Sequence, residues 1–352
     1  MLLLERYRKV SAPRGQGGFT LIEMLIAMMI LLAVAGIVMS GMVQMMFVQG
    51  SVANRSEMHS SVRSATELLQ QEIGQAGRVT LPVPVTMTTP VVIAVPGTPS
   101  APTVVTVNPS TAGMFNGEYL VVDTGANQEI VQISGLTANT FTAVFYYSHP
   151  SAVGATSWPV TVQGAFITGI VPPHKVNTAV AGLPLVPNTN AAGTLVGSTG
   201  TKLKLYGDVN GDGNMVYIEY SCNTGTTAAP GNLYRNVIPV PAEGVTITKP
   251  GVDASKIVLA NVLANPPDPN GNAVPCFTYQ EMQQGQDVFV VNVAVTLTVQ
   301  TPLPDPKTHS YQPETKALLN VSPRNIFEAW ELAGANAINR TQPMPSSVSN
   351  LL

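Results

Sequence analysis

The sequence predicts an α+β protein: one long N-terminal transmembrane α-helix followed by a large, mostly antiparallel β head. Three observations carry that expectation. Between Met24 and Asn54 there is no charged residue, and about twenty apolar residues are enough to cross a bilayer. No proline occurs from Phe19 until Pro82, so a single helix can continue well past the membrane. After residue 78 the chain turns to short Val-, Thr- and Tyr-rich runs broken by Pro, Gly and Asn clusters, which is how strands and turns read.

The first eighteen residues carry Arg6, Arg8, Lys9 and Arg14 against one acid, Glu5. A basic flank holds that end in the cytoplasm and sends the rest of the chain across. An ordinary secretory signal has a shorter apolar core that ends in its cleavage site. Here Gly17-Gly18 precedes the apolar run, so a cut there leaves the membrane helix on the product. A second oddity is Glu23, set among FTLIEMLIAMMILLAVAGIVM. A carboxylate entering the bilayer costs on the order of a few kcal/mol unless it snorkels or finds a partner.

The string Gly18-Phe19-Thr20-Leu21-Ile22-Glu23 resembles the prepilin peptidase site of type IV pilins and type II secretion pseudopilins. That resemblance implies a leader of residues 1–18 removed after Gly18, N-methylation of Phe19, and Glu23 as the fifth mature residue. In that family the carboxylate pairs with the free amine of a neighbouring subunit, an assembly salt bridge, and a buried charge is tolerated when so neutralised. The implied partners are other major and minor pilins, the prepilin peptidase/methylase and an inner-membrane assembly platform. The implied location is a single pass through the inner membrane with a periplasmic head, which reaches a pilus or the cell surface after assembly.

The helix is expected over residues 19–78, with 19–48 in the membrane. Beyond Gly50, Val52, His59, Val62, Ala65, Leu69, Ile73 and Ala76 recur at helical steps, as suits a helix lying on a sheet. Gly36, Gly41 and Gly50 weaken it locally, which fits either bending or close packing of neighbouring helices. Gly77 is a natural terminator. The helix end, with Glu72 followed by Ala76-Gly77, resembles PilW-type minor pilins and the J-type minor pseudopilins, as does the length.

In the head, residues 79–200 read as a β-rich inserted region and 201–325 as the pilin-type sheet. Strands are expected at Val91–Val95, Val104–Val107, Glu118–Val122, Glu129–Ile133, Thr140–Tyr147, Lys202–Tyr206, Met215–Ser221, Leu233–Ile238, Val245–Thr248, Val288–Val299 and Lys316–Val321, with 175–200 loop-like. Leu233-Tyr234-Arg235 and Arg324-Asn325 again resemble PilW-like chains. Residues 326–352 are expected as a short helix and a loose tail.

One constellation suggests a ligand. Asp208, Asn210, Asp212, Asn214 and Glu219 fit the spacing of a calcium loop, which makes a structural Ca ion a candidate cofactor. The flanks read as strands, however, so Glu219 would lie about 13 Å from the turn. Asp, Asn and Gly also suit any tight hairpin, and the residues leave both readings open. The two cysteines, Cys222 and Cys276, are either a disulfide pair outside the cytoplasm or two buried thiols.

The sequence carries none of the familiar catalytic motifs, and its four histidines are scattered, so no enzyme is expected. A net charge of −3 gives no support for nucleic-acid binding. The expected function is that of a minor pilin that primes or caps a type IV pilus. The alternatives are a pseudopilin of a type II secretion system, or an adhesin or DNA-uptake pilin, with a calcium-dependent hydrolase more remote.

Overall fold

The computed structural model describes residues 18–150, 157–164, 166–177, 184–317 and 320–352. The reading of residues 1–17 as a basic leader lies outside the described residues. Helix α1 runs unbroken over Leu21–Gln75, about 80 Å at 1.5 Å per residue. Its glycines at 36, 41, 50 and 74 sit inside the helix without interrupting it. From Leu21 to Gln49 every residue is exposed. Past residue 57 one face is buried against the head: Met58, Val62, Ala65, Leu69 and Ile73. The expected seam is therefore corrected at its start, because Val52 and His59 face outward and Met58 takes the inward place.

The head contains two main sheets. The first holds β1 (Val85–Met87), β2 (Thr103–Asn108), β3 (Tyr119–Val122), β4 (Glu129–Gln132), β5 (Thr140–Ala143) and β6 (Trp158–Val162), ordered β4-β3-β6-β1-β2-β5. All its pairings are antiparallel. Alternate residues such as Val105, Val107, Leu120, Val122, Val131 and Phe141 build its own core, as the period of two in a strand requires. Three short strands follow, β7 (Phe166–Ile167), β8 (His174–Lys175) and β9 (Val186–Pro187).

The second sheet is made of β10 (Lys202–Gly207), β11 (Val216–Asn223), β12 (Gly231–Pro239), β13 (Ile257–Leu263), β14 (Phe277–Gln284), β15 (Asp287–Gln300) and β16 (Pro313–Ala317). Its order is β10-β11-β12-β13-β15-β14, with β16 paired to β15. Leu203, Leu205, Ile218, Tyr220, Leu233 and Val293 share one core with the inward face of α1. Helix α2 (Arg324–Gly334) closes that core with Ile326 and Ala329. Strand β17 (Thr341–Gln342) then pairs with β7, and a last turn, α3 (Ser346–Ser349), ends the chain. The architecture is thus α+β, a long apolar N-terminal helix followed by a large antiparallel β region.

Four expectations need correction. Val245–Thr248 forms no strand: Gly244 has φ +79°, and the segment runs to Pro250, whose carbonyl accepts from Asn236 Nδ2. Val91–Val95 makes only one bridge, Val91 to His149, between Pro90 and Pro96, which cannot donate to a ladder. Trp158–Val162, Ile257–Leu263 and Phe277–Gln284 are strands that the sequence reading passed over. The tail is docked rather than loose: Val348 and Leu351 are buried, and Lys249 Nζ donates to the Leu351 carbonyl at 3.1 Å.

Candidate functional site: the two ends of the long helix

At its membrane end α1 is closed by a capping box. Thr20 Oγ1 accepts from the Glu23 amide at 3.3 Å, while Glu23 Oε2 accepts from the Thr20 amide at 2.9 Å and from Thr20 Oγ1 at 2.8 Å. Two amides that a helix start leaves unpaired are satisfied reciprocally, and the carboxylate lies in the first turn, where the helix dipole favours it. Glu23 is therefore held against the Thr20 amide, one residue past the Gly18-Phe19 junction, and Phe19 itself is 90% exposed. The apolar surface that follows has no partner among the described residues. It is the one helix, among the described residues, long and apolar enough to cross a membrane.

At its far end α1 is clamped to the second sheet. Glu72, 3% exposed, accepts from Arg235 Nε at 2.9 and 3.1 Å, and also from Arg235 Nη2 and the Tyr220 hydroxyl. A carboxylate and a guanidinium removed from water offset their desolvation only when the geometry is close and the remaining lone pairs are met, and Tyr220 meets one here. Burial raises the Tyr220 hydroxyl's pKa, and the Glu72 charge beside it adds to the rise, so it remains a donor. One turn on, Asn325 Nδ2 donates to the carbonyls of Gln75 and Ala76 at 3.0 and 3.3 Å, two groups the helix end leaves open. Gly77 then turns at φ +84° and donates to the Tyr206 carbonyl at 3.0 Å.

The sequence reading named Glu72, Ala76-Gly77, Arg235 and Asn325 as separate local features, and Tyr220 only as part of the expected strand Met215–Ser221. The structure brings them to one place. What it missed was the contact itself, whose available signal was a lone acid, Glu72, on an otherwise apolar face.

The five residues of the calcium spacing do not converge. Both Asp208 oxygens are used within the turn: Oδ1 accepts from the Asp212 amide at 3.0 Å, and Oδ2 from the Gly213 amide at 3.1 Å and from the Thr80 hydroxyl. Asp212 Oδ1 accepts from the Asn214 amide at 2.8 Å. Glu219 lies in β11 opposite Lys204, where its carboxylate meets Lys249 Nζ at 2.5 Å, Lys202 Nζ at 3.2 Å and the Tyr217 hydroxyl at 2.9 Å. Burial alone would raise its pKa, but Lys249, Tyr217 and Lys202 outweigh that and hold it at about 2. No group of three or more acids, histidines or cysteines is placed to hold a metal among the described residues. Asn210, like the rest of the turn, sits at a β-hairpin between β10 and β11. Cys222 and Cys276 are joined as a disulfide, with Cα atoms 6.4 Å apart.

A prokaryotic N-terminal methylation motif matches residues 13–39. The match spans Arg14, the Gly18-Phe19 junction, Glu23 and the first half of the apolar stretch. It is the signal of type IV pilin-like prepilins, and with the exposed apolar helix it marks the chain as pilin-like or pseudopilin-like. The motif implies processing by a prepilin peptidase and assembly with other pilin-type subunits. No curated protein and no solved structure matches the chain.

Proposed function

We propose that this chain is a minor pilin, a low-abundance subunit that primes or caps a type IV pilus. It is cleaved after Gly18, methylated at Phe19, anchored by residues 19–48 in the inner membrane, and carries its head in the periplasm until assembly. The observation that carries this reading is the methylation motif at residues 13–39 running directly into an exposed apolar helix. The narrower reading, a PilW-like subunit, rests on the sequence resemblance carried by Glu72, Arg235 and Asn325, which meet at one helix end. In this reading Glu23 leaves its capping box to pair with the Phe19 amine of a neighbouring subunit, the role is structural rather than catalytic, and no cofactor is required.

Mass spectrometry of the membrane-extracted protein, from a host that has the peptidase, should find a chain beginning at methylated Phe19. An intact Met1 terminus in that host defeats the assignment. The motif serves type II secretion pseudopilins equally, and deletion separates the two: loss of surface pili supports the minor pilin, whereas loss of enzyme secretion with pili intact supports the pseudopilin.

A further inference from the structure

The hairpin 301–312, between β15 and β16, packs on α1 just where the apolar stretch ends. Pro306 lies against Gly50, where an added Cβ would come within 2.9 Å of it. Asn54 Nδ2 donates to the Leu303 carbonyl at 3.4 Å, and Arg55 Nε donates to Gln312 Oε1. From Leu21 to Gly50 the helix rises about 44 Å, and a bilayer with its headgroups is about 40–45 Å thick. With the start of α1 at one headgroup layer, the hairpin is therefore level with the other.

Its surface suits that place. Leu303 is 61% exposed and Tyr311 38%, and Pro304, Lys307 and His309 are also exposed. The only acid in the segment, Asp305, is turned inward: its carboxylate accepts from the Lys307 and Thr308 amides at 2.9 Å and from Gln312 Nε2 at 3.0 Å. The outward face thus mixes Leu303, Pro304 and the Tyr311 ring with Thr308, His309, Ser310 and one fixed cation, Lys307. Amphipathic rings and lysines favour the headgroup layer, and a cation near an anionic surface adds attraction that salt screens.

We propose that the hairpin 301–312 is a membrane-surface contact, resting on anionic phospholipid headgroups and fixing how the head stands on its anchor before assembly. This rests on the reading of α1 as the membrane span. The continuity of the hairpin with that span, rather than its exposed side chains alone, points to lipid as the occupant.

The chain has no other cysteine beyond the bonded pair, so Leu303→Cys gives a single thiol for a polarity-sensitive fluorophore. Val92→Cys, at a 78% exposed position in the segment that follows β1, is the control. Full-length chains are reconstituted at high dilution into vesicles of phosphatidylethanolamine and phosphatidylglycerol, and flotation is measured alongside. Iodide quenching at position 303 should fall at least about three-fold from its value in detergent, brominated lipid should quench it, and position 92 should respond to neither change. Lys307→Glu should reverse much of the protection at low salt. Chains that fail to float overturn the membrane reading and the contact together. Chains that float while position 303 stays as open to iodide as position 92 overturn the contact alone. Protection that appears only when other pilin subunits are added also overturns it, and identifies a subunit interface instead.

Discussion

A single acid on the buried face of α1 decides how firmly the helix holds the head. Glu72 is 3% exposed and, among the described residues, its only cationic partner is Arg235. Glu72→Ala leaves that guanidinium part-buried without a counter-charge and removes the acceptor for the Tyr220 hydroxyl. Breaking a buried pair costs about 3–5 kcal/mol; since Arg235 keeps some access to water, about 2–4 kcal/mol is expected here. Denaturant unfolding of the detergent-solubilised chain measures it, and the double variant Glu72→Ala/Arg235→Ala should cost less than the sum of the two single changes. A loss below about 0.5 kcal/mol for Glu72→Ala would show that the cluster is incidental to holding the helix. The disulfide was open in the sequence because two cysteines 54 residues apart say nothing of distance until β11 and β14 are placed in one sheet.

Among elements, the end of α1 was legible and the tail was not, for physical reasons. Gly77 announces itself because a terminator needs φ > 0, and the structure adds a second requirement: a Cβ there would stand 2.7 Å from the Ile167 carbonyl oxygen and 3.1 Å from Ile326 Cγ1. Gly77→Ala should therefore lower stability by about 2–4 kcal/mol. Gly74→Ala, one turn earlier inside the helix with nothing within 4 Å, should instead raise it by up to about 1 kcal/mol. Thermal melting of the two variants side by side checks the contrast, and equal shifts would contradict it. Strands with a clear period of two, such as β2, β10 and β15, were readable from Val104–Val107, Lys202–Tyr206 and Val288–Val299. Strand β6 was hidden by Pro159 at a position that pairs with Thr86, and Val245–Thr248 had strand composition without a neighbouring edge. The docked tail rests on Val348 and Leu351, too few apolar residues to make a pattern before the fold supplies their pocket.

On the scale of the whole molecule, the first sheet and its loops bury two titratable groups that respond to pH in the same sense. Glu118 is fully buried; among the described residues its Oε1 has no partner and its Oε2 accepts only from the Phe115 amide at 3.2 Å, and burial pushes its pKa to about 8. His149 is also fully buried, between Asp123 at 2.9 Å on Nδ1 and Glu129 at 2.8 Å on Nε2. Burial disfavours the imidazolium, but the two carboxylates outweigh it and its pKa is raised. Both folded-state values lie above the unfolded ones, so both groups bind protons more tightly in the native chain. Their stabilisation is complete below the unfolded values and is lost as pH rises, from about 4.5 to about 8 for Glu118 and from about 6.5 upward for His149. Glu219 opposes them only in acid, since its contribution is lost as pH falls from about 4.5 toward 2. The head should therefore be most stable in mild acid and lose on the order of a few kcal/mol between pH 5 and pH 8. Glu118→Gln keeps the shape of the side chain and cannot ionise, so it should flatten most of that slope while leaving stability at pH 5 nearly unchanged. Melting temperatures of both chains at pH 5, 6.5 and 8 decide it: a wild-type curve flat across that range, or a slope that survives in Glu118→Gln undiminished, would show that Glu118 is not the group that titrates.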